Sequence, residues 1–229
     1  MLYFLHGLNG YPSEWDPFQL FFEERGYTCR IVDLMKGCDL RRTHLQDYVD
    51  HICSMVTTSD VVIGHSMGGL LMLKVAERIS FKAGVGICPA PPQGFEISEI
   101  SPIKQIRYLP SLLFRIPFKP SYGLYRSRFV RDLDHEAAKS QYMLLQKQSA
   151  LVTYEVMKRK IPVDGTKLNS PLLFIATKND SMIPPSTVES MAQTYHADYE
   201  IYPGNHYIFQ KWDGIARGIL RFLEKQTLI

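Results

Sequence analysis

One stretch, VVIGHSMGGLL at residues 61–71, limits what this chain can fold into more than any other. Val and Ile suit a buried strand. The run stops on Gly64, and a lone hydroxyl, Ser66, follows between His65 and Met67. Two more glycines come next, at the head of an apolar run with helical character. Gly64 to Gly68 reads G-x-S-x-G with a strand before it and a helix after it, which is the setting of a nucleophile elbow. The glycines then have a steric reason, since a side chain would clash where strand and helix approach. The turn strains the serine backbone and lifts Oγ clear of the sheet, and the helix aims its positive end at the same place. A plain glycine turn opening a helix is the competing reading.

A serine hydroxyl is a weak nucleophile without a base. In elbow-type sites the partners follow in the order Ser, Asp or Glu, His. In LLFIATKNDSMIPP a buried strand is followed by Asp180, and in YEIYPGNHYIF a strand is followed by His206. Loops at the carboxyl ends of parallel strands gather along one edge of a sheet. His206 is therefore expected to take the Ser66 proton, and Asp180 to orient and charge-stabilise the ring. Read alone, Asp180 is also good turn chemistry, and His206 a solvated loop histidine. His44, His51 and His135 fall on expected helices, His196 at a helix end, and His65 inside the elbow, where packing is its expected role. A developing oxyanion needs donors. The expected pair is the backbone N–H of Met67, at the helix start, and of Leu8, in the loop after the YFL strand. His6 in that loop is read as structural.

Other apolar runs lie at 2–5, 28–32, 84–88, 172–176 and 199–202, several of them continuously apolar, as strands covered on both faces are. Helical patterns at 13–25, 43–57, 67–79, 186–195 and 211–225 alternate with them. Such alternation implies a parallel sheet with right-handed crossovers. Residues 89–167 break the rhythm. They hold prolines at 102, 110, 117 and 120, no convincing strand, and helical patterns near 134–148 and 150–159. The reading is a core of residues 1–88 and 168–229 carrying an inserted helical lid at 89–167. Residues 93–167 hold 13 Lys and Arg against 7 Asp and Glu, while the whole chain has a formal net charge of +3. The lid's aromatics (Tyr108, Phe114, Phe118, Tyr122, Tyr125, Phe129) alternate with Lys104, Arg107, Arg115, Lys119, Arg126, Arg128 and Arg131. Two readings stand: a small subdomain with its own core and a solvated basic face, or an apolar pocket roofed by aromatics whose cations meet an anionic head group or lipid surface.

LHGLNG, IGHSMGG, ATKNDSMIPP and PGNH together resemble the α/β-hydrolase superfamily, in particular lid-bearing bacterial esterases and lipases of the monoacylglycerol-lipase and lysophospholipase type. The resemblance spans most of the chain outside the lid. It implies about six parallel strands in the order 2-1-3-4-5-6, with helices on both faces. Members usually carry two strands before the HG strand, which here begins at Leu2; the strand near 28–32 would then be a sheet edge.

The function expected is hydrolysis of carboxylic esters through a Ser66–His206–Asp180 triad and an acyl-enzyme. A thioesterase or acyltransferase would use the same residues, and a binding protein on this scaffold would commonly have lost one of them. No metal site, cofactor motif or nucleic-acid module is read. The four cysteines, with no CxxC pair, suit reduced core thiols rather than disulfides or a zinc site. With no leader-like N-terminus, the chain is expected to be cytoplasmic. Its partners are expected to be a small acyl ester and, through the basic lid, anionic lipid.

Overall fold

The computed structural model describes residues 1–96 and 108–227. Lys104, Arg107 and Pro102 lie outside the described residues. Six parallel strands form one sheet: β1 (Leu2–Leu5), β2 (Cys29–Val32), β3 (Val61–His65), β4 (Ala83–Ile87), β5 (Leu172–Thr177) and β6 (Asp198–Tyr202). Their spatial order is β2-β1-β3-β4-β5-β6, the order expected, with β2 at one edge and β6 at the other.

The central strands are apolar throughout because helices cover both faces. Along β1, Tyr3 and Leu5 enter one core cluster and Leu2 and Phe4 the other; along β5, Leu172, Phe174 and Ala176 part from Leu173 and Ile175 in the same way. Helices α1 (Asp16–Glu23) and α9 (Trp212–Thr227) cover one face. On the other face lie α2 (Leu45–Cys53), α3 (Met67–Ala76) and α8 (Pro185–Thr194). Every residue of α3 but Lys74 is buried, since α3 is clasped between the sheet and α2.

Between β4 and β5 the described residues form α4 (Leu109–Leu113), α5 (Tyr122–Arg128), α6 (His135–Leu144) and α7 (Ala150–Met157). Helix α6 starts as its sequence directs, with Asp134 accepting a hydrogen bond from the Ala137 amide at 2.8 Å. It stops short of the expected 148 because Gln148 leaves to bridge Phe118. Helices α4 and α5 were not expected; each is short, and their Pro, Gly and Arg obscure any apolar period. Tyr125, Val130 and Ala138 make a small core of their own, with Tyr122, Phe129 and Tyr142 against it. By contrast, Val152 and Val156 of α7 belong to the main core. No described helix is long and apolar enough to cross a membrane.

Candidate active site

The strand register aligns the carboxyl ends of β1, β3, β4, β5 and β6, so the loops that follow them face one crevice. Ser66 stands between β3 and α3 with φ 53° and ψ −116°. A non-glycine residue rarely holds such a backbone, at a cost of about 1–3 kcal/mol. The surroundings pin it there: the Ser66 amide donates to the Ile87 carbonyl at 3.0 Å, and its carbonyl accepts from Gly69 at 2.9 Å and Ala90 at 2.8 Å. The glycines meet the steric demand read in the sequence. A Cβ on Gly64 would collide with the Gly68 backbone, one on Gly68 with the Leu5 carbonyl, and one on Gly69 would come within 2.6 Å of the Pro89 Cβ.

His206 lies between the other two residues singled out by the sequence. Its Nε2 is 3.0 Å from Ser66 Oγ and its Nδ1 2.7 Å from Asp180 Oδ2. Asp180 reaches this position from the turn after β5, where its Oδ1 accepts from the Met182 and Ile183 amides at 2.7 and 2.9 Å. Burial alone would raise the Asp180 carboxyl. The facing His206, its hydrogen bond and the two amides outweigh that and hold the carboxyl below the usual range. A carboxylate so placed keeps the proton on Nδ1 and leaves Nε2 free to accept from the serine. The His206 loop is held in turn by Thr177, whose hydroxyl donates to the Asn205 carbonyl at 2.9 Å, and by Asn205 Nδ2, which donates to Asp132 at 2.9 Å.

Two other histidines are structural. Nδ1 of His6 meets the Gly7 carbonyl at 2.9 Å, and its Nε2 accepts from the Leu34 amide at 3.3 Å, so the buried ring is neutral and shapes the β1 loop. Nε2 of His65 donates to the His206 carbonyl at 2.9 Å, while the ring packs edge-on against Phe209. The Leu8 and Met67 amides, the expected oxyanion donors, meet no backbone acceptor among the described residues. Met67 opens α3, and Leu8 sits in a turn closed by the Gly10 amide on the Gly7 carbonyl at 3.1 Å. Gly7 brings this loop against the serine, for a Cβ there would stand 3.2 Å from Ser66 Cβ.

Ligand atoms of Cys88, Asp180 and His206 lie within 4.8 Å of one another. The set does not fit a metal. Asp180 and His206 are engaged with each other, and burial, then the charge of Asp180, pushes the Cys88 thiol far above its ordinary range, so no thiolate is offered. All four cysteines are free thiols, and only Cys88 is buried.

Of the residues around the cavity, Tyr125 and Phe129 are among the lid aromatics read in the sequence, whereas Glu14 and Tyr207 gave no sequence signal. All four line the cavity together with Ser66 and Leu8. Asn9 donates to the carbonyls of Phe118 and Gln146 at 2.9 and 3.0 Å, tying the β1 loop to the β4–β5 segment. The basic residues read as lipid-facing have other partners as well. Arg128 donates to the Ser181 carbonyl at 3.4 Å, Arg131 to the Asn179 carbonyl at 3.3 Å, and Arg126 to the carbonyls of Val130 and Arg131.

Strands, crossovers and a serine elbow in this arrangement define an α/β hydrolase. The chain belongs to the alpha/beta hydrolase family, whose model matches residues 2–217. No curated protein sequence matches it. Among solved structures it is similar to an extracellular alpha/beta-hydrolase from a Paenibacillus species (TM-score 0.78, 14% identity, 96% of this chain and 97% of that one). It is also similar to a methylesterase from Arabidopsis (TM-score 0.73, 14% identity, 97% and 98%). A third is a monoacylglycerol lipase from Paleococcus ferrophilus (TM-score 0.69, 17% identity, 98% and 94%). At these identities the likeness is one of fold.

Proposed function

We propose that the chain is a serine hydrolase of carboxylic esters, acting through Ser66, His206 and Asp180. The observation that carries this reading is His206 standing between the other two, 3.0 Å from Ser66 Oγ and 2.7 Å from Asp180. Ser66 Oγ attacks the ester carbonyl carbon while its proton passes to His206 Nε2. The Leu8 and Met67 amides receive the negative oxygen. Collapse breaks the carbon–oxygen bond, and the leaving alcohol takes the proton from Nε2. Water, deprotonated by the same nitrogen, then releases the acid and regenerates Ser66. A thioester, or an alcohol in place of water, would pass through the same steps, so thioesterase and acyltransferase activity share this reading.

The helices between β4 and β5 serve in it as a lid, supported by Tyr125 and Phe129 in the cavity wall. Exposed Leu113 and Phe114, beside Arg115, support contact of that lid with anionic lipid. Free thiols agree with a cytoplasmic setting.

The test is a fluorophosphonate probe on the intact chain, followed by hydrolysis of p-nitrophenyl esters of graded length. Ser66 is expected to carry the label, and Ser66→Ala to lose it along with turnover, by a factor on the order of 10⁶ in kcat. Turnover near wild type in a folded Ser66→Ala protein would falsify the assignment.

A further inference from the structure

Glu14 is anomalous in a cavity otherwise lined largely by apolar and aromatic side chains. It sits in the 3₁₀ turn Pro12–Trp15 that follows the β1 loop. The side chain is buried, at 9% exposure, yet it lines the same cavity as Ser66 and His206. The Tyr11 backbone amide meets its carboxyl, and no cation among the described residues does. Gly10 makes room for it, since a Cβ there would come within 2.5 Å of Glu14 Oε1. Burial pushes the carboxyl up to about 8, so near neutral pH it is chiefly an uncharged acid with an O–H to donate. The hydroxyls of Tyr11, Tyr125 and Tyr207 lie close by, each held protonated by burial first, with the charge of Glu14 adding to it.

His65 stands in the same cavity wall as Glu14. Its Nε2 is committed to the His206 carbonyl, so Nδ1 is a bare acceptor. That nitrogen is buried and finds no donor among the described residues. Burial, then the neighbouring His206, lowers the ring to about 3, so it stays an acceptor. Gly7 packs against it, since a Cβ there would come within 3.3 Å of Nδ1. Buried polar groups left without partners are uncommon and call for an explanation.

Glu14 thus offers the cavity an O–H and a second carboxyl oxygen, whereas His65 Nδ1 is closed off from it. A hydroxyl answers both carboxyl atoms, since it accepts from the one and donates to the other. We propose that Glu14 forms a hydroxyl-recognising subsite in front of Ser66, selecting esters that carry an uncharged hydroxyl on the acyl or the alcohol part. The inference rests on Ser66 being the nucleophile. An anionic group would meet no Lys or Arg among the described residues of this wall, and an ammonium would first have to displace the Glu14 proton.

The test compares kcat/KM within isosteric pairs, so that chemistry common to both members cancels. The alcohol arm pairs 2-hydroxyethyl butanoate with propyl butanoate. The acyl arm pairs p-nitrophenyl 3-hydroxybutanoate with p-nitrophenyl 3-methylbutanoate. The wild type is expected to prefer the hydroxyl member about tenfold in one arm, the worth of one hydrogen bond, and the arm that responds identifies the side. Glu14→Leu should bring the ratio near one, whereas Glu14→Gln, which keeps a donor, should retain most of it. Gly10→Ala, whose Cβ would push the carboxyl aside, reads the same ratio should Glu14→Leu not fold. Flat ratios in both arms, or a preference that survives Glu14→Leu and Gly10→Ala, would overturn the subsite. So would a preference for choline butanoate over 3,3-dimethylbutyl butanoate that Glu14→Gln abolishes, since that marks a cation site. Fluorophosphonate labelling of the same wild-type preparation separates the two ideas. With labelling intact, flat ratios remove the subsite alone; with labelling absent, the hydrolase reading falls and the subsite with it.

Discussion

At Asp180 the two carboxylate oxygens have separate duties. Oδ1 is held by the Met182 and Ile183 amides, and Oδ2 faces His206 Nδ1. In Asp180→Asn the side-chain oxygen stays with the two amides, which need an acceptor. The amide nitrogen then faces Nδ1 and forces that ring atom to accept. The proton moves to Nε2, where it points at Ser66 and blocks transfer. We expect kcat to fall by about 10⁴, as this change does in serine proteases, with little change in melting temperature. A variant with full activity would mean that another carboxylate orients His206. Glu14 makes a prediction about stability. Its folded value of about 8 lies above its ordinary 4.5, so the folded chain keeps a proton that the unfolded chain gives up. The contribution is complete at low pH and is lost as pH rises from about 4.5 to about 8, at roughly 1.4 kcal/mol per unit while the two states differ. The tyrosines facing it stay protonated in that range, and His65 stays neutral. Denaturant melts at pH 5 and pH 9 should therefore show Glu14→Gln gaining on the wild type as pH rises. A constant difference between the two proteins would mean that Glu14 is already ionised at pH 5.

Among the elements, the β4–β5 segment is fastened to the loops that carry the site. Asn9 holds it to the β1 loop, with the Gln146 amide returning a bond to the Asn9 carbonyl at 3.0 Å. Asn9 has φ 61°, a backbone that asparagine tolerates and alanine resists. In Asn9→Ala both side-chain bonds go and strain is added. Hydrogen exchange should speed up at the Phe118 and Gln148 amides, which pair with each other across the isolated bridge, while β3 and β4 keep their protection. Unchanged exchange at those two amides would show that the segment does not depend on Asn9. The arginines modify the electrostatic expectation. Because Arg128 and Arg131 donate to carbonyls flanking Asp180, reversing their charge disturbs the turn that carries the carboxylate as well as any surface field. Leu113 and Phe114, exposed and distant from that turn in sequence, are cleaner positions for testing lipid contact: replacing both with serine should weaken sedimentation with anionic vesicles and spare hydrolysis of a short ester.

For the whole molecule, the segment 89–167 is joined unevenly. Its middle has a small core around Tyr125, Val130 and Ala138, but α7 contributes Val152 and Val156 to the main core. Glu155 on α7 also accepts from the Leu45 amide at 2.8 Å, at the start of α2, and Ser149 Oγ donates to the Thr43 carbonyl at 2.7 Å. Deleting all of 89–167 would empty part of the core and uncap α2. Losing two buried valines costs several kcal/mol, much of a domain's net stability. We expect that deletion to abolish the cooperative thermal transition seen by circular dichroism. A soluble core melting cooperatively would show that α7 is dispensable.

The strands and the expectation that Ser66, Asp180 and His206 meet were legible because each rests on a local rule, while the strand order followed from the resemblance to α/β hydrolases. Continuous apolar runs announce strands covered on both faces, G-x-S-x-G with its neighbours announces a strained turn, and parallel strands bring successive loops to one edge. The short helices at 109–113 and 122–128 lacked such a rule, being too brief to show a period. Glu14 reads in sequence as an ordinary acidic residue in a helix's first turn. Only the fold seals it under Tyr125 and Tyr207, residues more than a hundred positions away, and burial then changes its charge. The same holds for Asn9 against Gln146 and Arg131 against Asn179. The sequence by itself determined the sheet, the elbow and the chain order of the candidate triad, because these follow from near-neighbour sterics and hydrophobic periodicity. The tertiary structure alone decided what surrounds them, because desolvation and hydrogen-bond partnership depend on which distant segments fold against a residue.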